Sequence, residues 1–196
     1  MTARLAGWRA VIAVMLSTVA MGSGAADAPA GTSIGEQFPA RSGEISASVA
    51  QALRPALPLR VPVKDIAPAQ LVDTFTDQRG SDRSHEAIDI LAPRGTPVVA
   101  VDDGVVVKLF LSKPGGITVY QFDRTRSVAY YYAHLEAYAD GLAEGQLLKR
   151  GDPIGFVGST GNANPATPHL HFAVFELGPE KQWWKGRAIR PLSLFR

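Results

Sequence analysis

Between residues 96 and 177 short runs rich in β-branched and aromatic residues are separated by Gly-, Pro- and Asp-bearing turns, the pattern of strands, in which successive side chains point to opposite faces of a sheet. "TPVVAV" (96–101) and "VVVKLFL" (105–111) flank Asp102-Asp103-Gly104, which reads as two β-branched strands joined by an Asp-Gly reverse turn. "GITVYQF" (116–122) and "SVAYYYAHL" (127–135) form a second hairpin across 123–126. Then come a short strand at 146–148, a turn at 150–152, the strand "PIGFVG" (153–158), the long turn "STGNANPATP" (159–168) and the strand "HLHFAVFEL" (169–177). Beyond the N-terminal stretch no window of eleven or more residues keeps a 3.6-residue period, so helix is expected only as a turn near 135–143. The predicted fold class is all-β, a small antiparallel β-sandwich or collapsed barrel.

Upstream the pattern changes. Arg4 and Arg9 accompany an apolar run over 10–21 that is followed by "GSGAADA", which reads as a signal peptide over 1–28, cut after Ala26 or Ala28. The run is shorter than the roughly 20 residues a bilayer span needs. Residues 29–70, rich in Ala, Pro, Ser and Gly, read as a partly ordered extension able to add an edge strand near 59–64, its prolines keeping it out of a sheet centre. The patterned domain is 71–196.

Composition narrows the function classes. A chain of 196 residues supports one sizeable core once a leader is removed. It has no Cys, which excludes disulfides, thiolate metal sites and a cysteine nucleophile. Lys plus Arg number 20 against 18 Asp plus Glu, and losing Arg4 and Arg9 by the cut after Ala26 leaves the two signs equal. With no basic stripe either, nucleic acid is excluded as a partner. "GSTGN" lacks the Lys of a phosphate loop, so no nucleotide is expected. An exported, neutral, Cys-free chain is expected in the periplasm, as a monomer with no stable membrane span after leader removal.

The candidate chemistry lies in four histidines, 85, 134, 169 and 171. His169 and His171 share one face of a strand, with Leu170 and Phe172 on the other. In "SHEAIDI", Ile88 and Ile90 alternate with Asp89, and His85 falls on the side of Asp89 if the extension holds. Imidazole nitrogens and a carboxylate converging on one point, as His85, Asp89 and one member of the HxH pair would, make a three-ligand site with a fourth position for water, a catalytic-zinc pattern. His134 ends its strand, with Tyr130 and Tyr132 on its face by period two. Glu86 would project away from His85 in a regular strand. Trp183 and Trp184 should face opposite ways, one capping the core and one exposed to sugar or peptide.

"DRSHEAIDILAPRGTPVVAVDDGVVV", "YYYAHL", "EGQLLKRGDPIGFVGSTGN" and "PHLHFAVF" together resemble the M23 family of zinc metallopeptidases, the lysostaphin-like or LytM-like peptidoglycan endopeptidases. The resemblance covers about 74–175, and it implies that His85, Asp89 and His171 bind one Zn2+ and that His134 and His169 assist catalysis. It also implies a small antiparallel β-sandwich with the site in a groove and peptidoglycan cross-links as substrate, with D-alanyl–diaminopimelate bridges expected for a periplasmic enzyme. Two positions depart from the family pattern: Ala87 stands where His-x-Gly-x-Asp has glycine, and Ala173 stands where His-Leu-His-Phe-Glu has an acid. With no HExxH glutamate available as base, His169 is expected to take the proton of the attacking water and His134 to donate to the oxyanion. The alternative is a non-catalytic murein-binding module or amidase regulator, whose signature would be missing ligands.

Overall fold

A computed structural model describes residues 58–80 and 83–195. The signal peptide expected over 1–28 and the extension as far as 57 lie outside the described residues. Among the described residues eleven strands follow one another: β1 (Gln78–Arg79), β2 (Arg83–Ser84), β3 (Ile88–Leu91), β4 (Pro97–Val99), β5 (Gly104–Ser112), β6 (Gly116–Asp123), β7 (Val128–Tyr138), β8 (Leu147–Leu148), β9 (Pro153–Val157), β10 (His169–Leu177) and β11 (Gly186–Ile189). β1 and β2 pair with each other, and the other nine form one antiparallel sheet in the order β11-β10-β7-β6-β5-β8, with β3 on β10 and β4 joined through β9 to β7. Helix among the described residues is confined to 3-10 turns at Pro68–Gln70 and Pro191–Leu194. None of it is long and apolar enough to cross a membrane.

Alternation decides the two faces. Val128, Tyr130 and Tyr132 of β7, Leu170, Phe172 and Val174 of β10, and Ile88 and Ile90 of β3 enter the main core, which the curled sheet encloses together with Val98, Val106, Val119, Ile154 and Val157. The intervening residues Ala129, Ala173 and Phe175 gather with Phe75, Ala87 and Phe122 in a smaller cluster on the other face. Trp183 packs there, its ring 4.8 Å from Tyr120 and 5.5 Å from Phe110, while Trp184 stays 40% exposed. The two tryptophans lie in the turn before β11 and touch edge-on, ring centres 5.1 Å apart, so the opposite facing expected of strand neighbours does not apply to them.

Residues 59–64 run along the edge of β4 as expected, but joined to it by single hydrogen bonds and the isolated bridge Val63–Val98 and not as a regular strand. Arg60 N–H donates to Val101 O (3.1 Å), Val99 N–H to Pro62 O (2.8 Å) and Lys64 N–H to Pro97 O (3.0 Å). Pro62 contributes only its carbonyl, consistent with proline at a sheet edge.

Two expectations fail. The strands flanking Asp102-Asp103-Gly104 do not form a hairpin: β4 pairs with β9, and β5 pairs with β6 and β8. Neither Asp103 nor Gly104 has the positive φ that a type I′ turn demands. Glycine is needed at 104 for closeness instead, since a Cβ there would lie 2.1 Å from Phe122 O. No helical turn forms at 135–143 either, because β7 runs on to Tyr138, changing partner from β10 to β9.

Candidate metal centre

β3 and β10 are antiparallel with Asp89 opposite His171 and Leu91 opposite His169. Since Ile88, Ile90, Leu170 and Phe172 are drawn into the core, Asp89, His169 and His171 are left on the opposite face. His85 joins them from the loop before β3, though not by the extended geometry expected: Glu86 has φ 56°, and residues 85–87 precede the strand. The left-handed residue is Glu86 and not Ala87, so alanine in place of the family glycine carries no strain. The Ala87 methyl is buried in the smaller cluster, and Ala173, at the family's acid position, is buried in the same cluster.

His85 Nε2, Asp89 Oδ1 and His171 Nδ1 form a triangle with sides of 2.9, 3.0 and 3.2 Å. Tetrahedral ligands about 2.0–2.1 Å from an ion stand ~3.3 Å apart, so the three atoms are spaced to hold one metal ion and leave a fourth position open. Two imidazoles and a carboxylate suit a first-row metal better than calcium or magnesium, which favour oxygen ligands. Thr74 organises the cluster from behind. Its carbonyl lies 2.9 Å from His85 Nδ1, which directs the His85 Nε2 lone pair inward, and its hydroxyl accepts Asp89 N–H at 3.1 Å. Arg79 of the β1–β2 hairpin pairs with the outer oxygen, Asp89 Oδ2.

His134 and His169 flank this triangle, their rings 5.0 Å apart, with His134 5.6 Å from His171. His169 Nδ1 lies 2.9 Å from Thr167 O, and its Nε2 lies 3.8 Å from Asp89 Oδ1. His134 Nδ1 lies 2.8 Å from Thr160 O. Each backbone carbonyl accepts the Nδ1 proton, so each neutral ring offers Nε2 as an acceptor. An oxyanion-donor role for His134 therefore requires a protonated ring. Burial, with His171 beside it, opposes this and pushes its pKa down to about 4. Burial also pushes His171 down, against the pull of Asp89. For Asp89 burial acts upward, but hydrogen bonds with His171 and His85 outweigh it and hold the carboxyl well below the ordinary range.

The tyrosines correct the strand reading. Val119 opposes Tyr132 and Ile117 opposes Leu135, so Ala133 and His134 together face the single residue Thr118, a β-bulge with His134 at φ 60°. Beyond the bulge the alternation is reset, and His134 comes out on the face of Tyr131. Tyr130 and Tyr132, expected beside His134, are fully buried in the main core. Tyr131, which periodicity assigned to the other face, stands edge-on to His171 with ring centres 5.9 Å apart. A left-handed histidine leaves no mark in the sequence that could have shown this.

Residues 83–191 match the family described as Peptidase family M23. The chain is 35% identical over 117 residues to an L-Ala–D-Glu endopeptidase of Bacillus subtilis, covering 56% of this chain and 36% of that protein. It is 43% identical over 91 residues to the DD-carboxypeptidase/endopeptidase Mpg of Neisseria meningitidis, covering 46% and 20%. This chain thus spans little more than a third, or a fifth, of the length of those relatives. A zinc-containing peptidase from Vibrio cholerae superposes with a TM-score of 0.55 at 26% identity, over 69% of this chain and 39% of the other. The family's match covers more than half of the residues and all four histidines around the triangle, and the chain accordingly belongs to peptidase family M23.

Proposed function

We propose that the protein is a zinc metalloendopeptidase that hydrolyses peptide cross-links of peptidoglycan at D-alanyl–diaminopimelate bridges, acting as a monomer in the periplasm after loss of its leader. The observation that carries this reading is the triangle of His85, Asp89 and His171 with two further histidines beside its open side. Three N/O ligands with a free position are the donor set of a catalytic zinc site, and the likeness to a zinc-containing peptidase supports that metal. Similarity to a DD-carboxypeptidase/endopeptidase supports the D-alanyl bond. The alternative, a non-catalytic binding module, is disfavoured by the retention of all three ligands.

Zinc in this site would supply Lewis acidity, bringing the pKa of water toward about 7 and polarising the scissile carbonyl. His85, Asp89 and His171 would hold the ion. His169, the more accessible of the flanking pair, takes a proton from the attacking water at Nε2 and returns it to the leaving amine. His134 accepts that water's other hydrogen at Nε2 and so fixes its orientation. Each backbone carbonyl, Thr167 O and Thr160 O, stabilises the Nδ1–H tautomer this requires.

The test is digestion of purified sacculi and tetrapeptide dimers by the zinc-loaded protein, with products identified by mass spectrometry. Monomers released from dimers, lost on chelation and restored by zinc, are the expected result. Full activity after verified metal removal would overturn the zinc mechanism, cleavage confined to another bond would overturn the bond assignment, and no murein product at all would favour the binding module.

A further inference from the structure

Left-handed backbone is unfavourable for any residue with a side chain and persists where the surroundings over-determine it. His134 is such a residue, and what surrounds it are the turn between β5 and β6 and the turn between β9 and β10. Its N–H donates to Gly115 O at 2.8 Å, and its ring Nδ1–H to Thr160 O at 2.8 Å. The Thr160 hydroxyl also enters the β6–β7 ladder where it resumes after the bulge: it accepts Ile117 N–H at 2.9 Å and donates to Leu135 O at 2.7 Å. Ile117 and Leu135 are the register pair there, so the hydroxyl bridges the two strands beside His134.

Two tight turns interlock to hold Thr160 in place. Gly116 (φ 64°) and Gly161 (φ 76°) approach so closely that a Cβ on Gly116 would lie 2.2 Å from Thr160 Oγ1, and one on Gly161 would lie 2.4 Å from Gly116 N. Asn162 N–H closes the contact on Pro114 O at 3.1 Å.

We propose that Thr160 is a positioning residue for His134. Its hydroxyl holds the bulge open and its carbonyl fixes the ring, so one residue sets both the backbone and the tautomer of the histidine. The catalytic consequence rests on the reading of His134 given above. A hydroxyl can donate once and accept as well, which serine reproduces and valine, of similar shape, does not. Without it, Ile117 N–H and Leu135 C=O are left to find each other directly, and the bulge that turns His134 toward the triangle loses its spacer.

The experiment compares zinc-loaded Thr160→Val and Thr160→Ser with the unaltered protein. Nitrogen-15 NMR of the histidine rings at a fixed, mildly alkaline pH should show His134 as a single Nδ1–H tautomer with a protected proton in the unaltered and serine proteins. The valine variant should show mixed tautomers and rapid exchange. On murein, Thr160→Val should lower kcat about 10- to 100-fold, the scale expected for a misplaced catalytic group, with KM and zinc content unchanged. Thr160→Ser should recover most of the rate.

An unaltered His134 signal in Thr160→Val, an unaltered kcat despite a lost tautomer, or equal damage from valine and serine would each overturn the proposal. If the valine variant does not fold, Thr160→Ala is measured against the same outcomes. If the unaltered protein proves inactive on murein, the proposed function fails, while the NMR comparison still decides whether Thr160 fixes His134.

Discussion

Replacing His169 and His171 by alanine, one at a time, should separate proton transfer from metal binding, although the two side chains stand two residues apart on one face of β10. His171 Nδ1 is 2.9 Å from His85 Nε2 and 3.2 Å from Asp89 Oδ1. Its removal leaves two protein donors, fewer than the three of a catalytic zinc site, so stoichiometric zinc and activity should be lost together. His169 reaches Asp89 Oδ1 only at 3.8 Å, and its other nitrogen is engaged by Thr167 O. Its removal leaves the triangle whole and deletes one group that acts as charge develops. The expected cost is about 10²- to 10³-fold in kcat, or about 3–4 kcal/mol of transition-state stabilisation, with KM little changed. His134→Ala should behave like His169→Ala. Zinc per chain after gel filtration, measured beside muropeptide release on the same samples, checks the scheme. Zinc retained in His171→Ala and lost in His169→Ala would show that the roles of the two histidines are reversed.

Tyr132 is a core residue whose hydroxyl donates to Gln121 Oε1 at 2.7 Å and accepts Val101 N–H at 3.1 Å. Tyr132→Phe should therefore cost about 1–3 kcal/mol of stability, read from denaturant melts, with kcat unchanged. A fully stable but inactive variant would place Tyr132 in the groove after all. In chelated protein, the His134 pKa of about 4 against an ordinary 6.5 means that the unfolded chain binds more protons between those values. Stability should then fall as pH drops from about 6.5 to about 4, by at most about 3 kcal/mol for this group, with half-buried His171 acting in the same sense. His134→Gln should flatten that slope, and an unchanged slope would mean His134 is not the buried neutral group described.

Alternation alone determined a good deal. A period of two is enough to place Leu170 and Phe172 in the core and His169 and His171 on the other face. The edge position of 59–64 followed equally from its prolines, because missing N–H donors are a local property. What alternation cannot register is a change of phase or of partner. The bulge at His134 inserts one residue against Thr118, so everything counted through it by twos, including the assignment of Tyr130 and Tyr132 to the site, came out on the wrong face. The Asp102-Asp103-Gly104 bend looks like a hairpin turn because local chemistry suits one, yet the chain uses it to pass from β4 to β5, and which strands pair is settled by burial across the whole sheet. The meeting of His85 with Asp89 through a left-handed Glu86, and the clamp of Thr160 on a histidine 26 residues earlier, are tertiary decisions. They depend on contacts between segments far apart in sequence, where the energy of the assembled core outweighs the preference of each residue for its own backbone geometry.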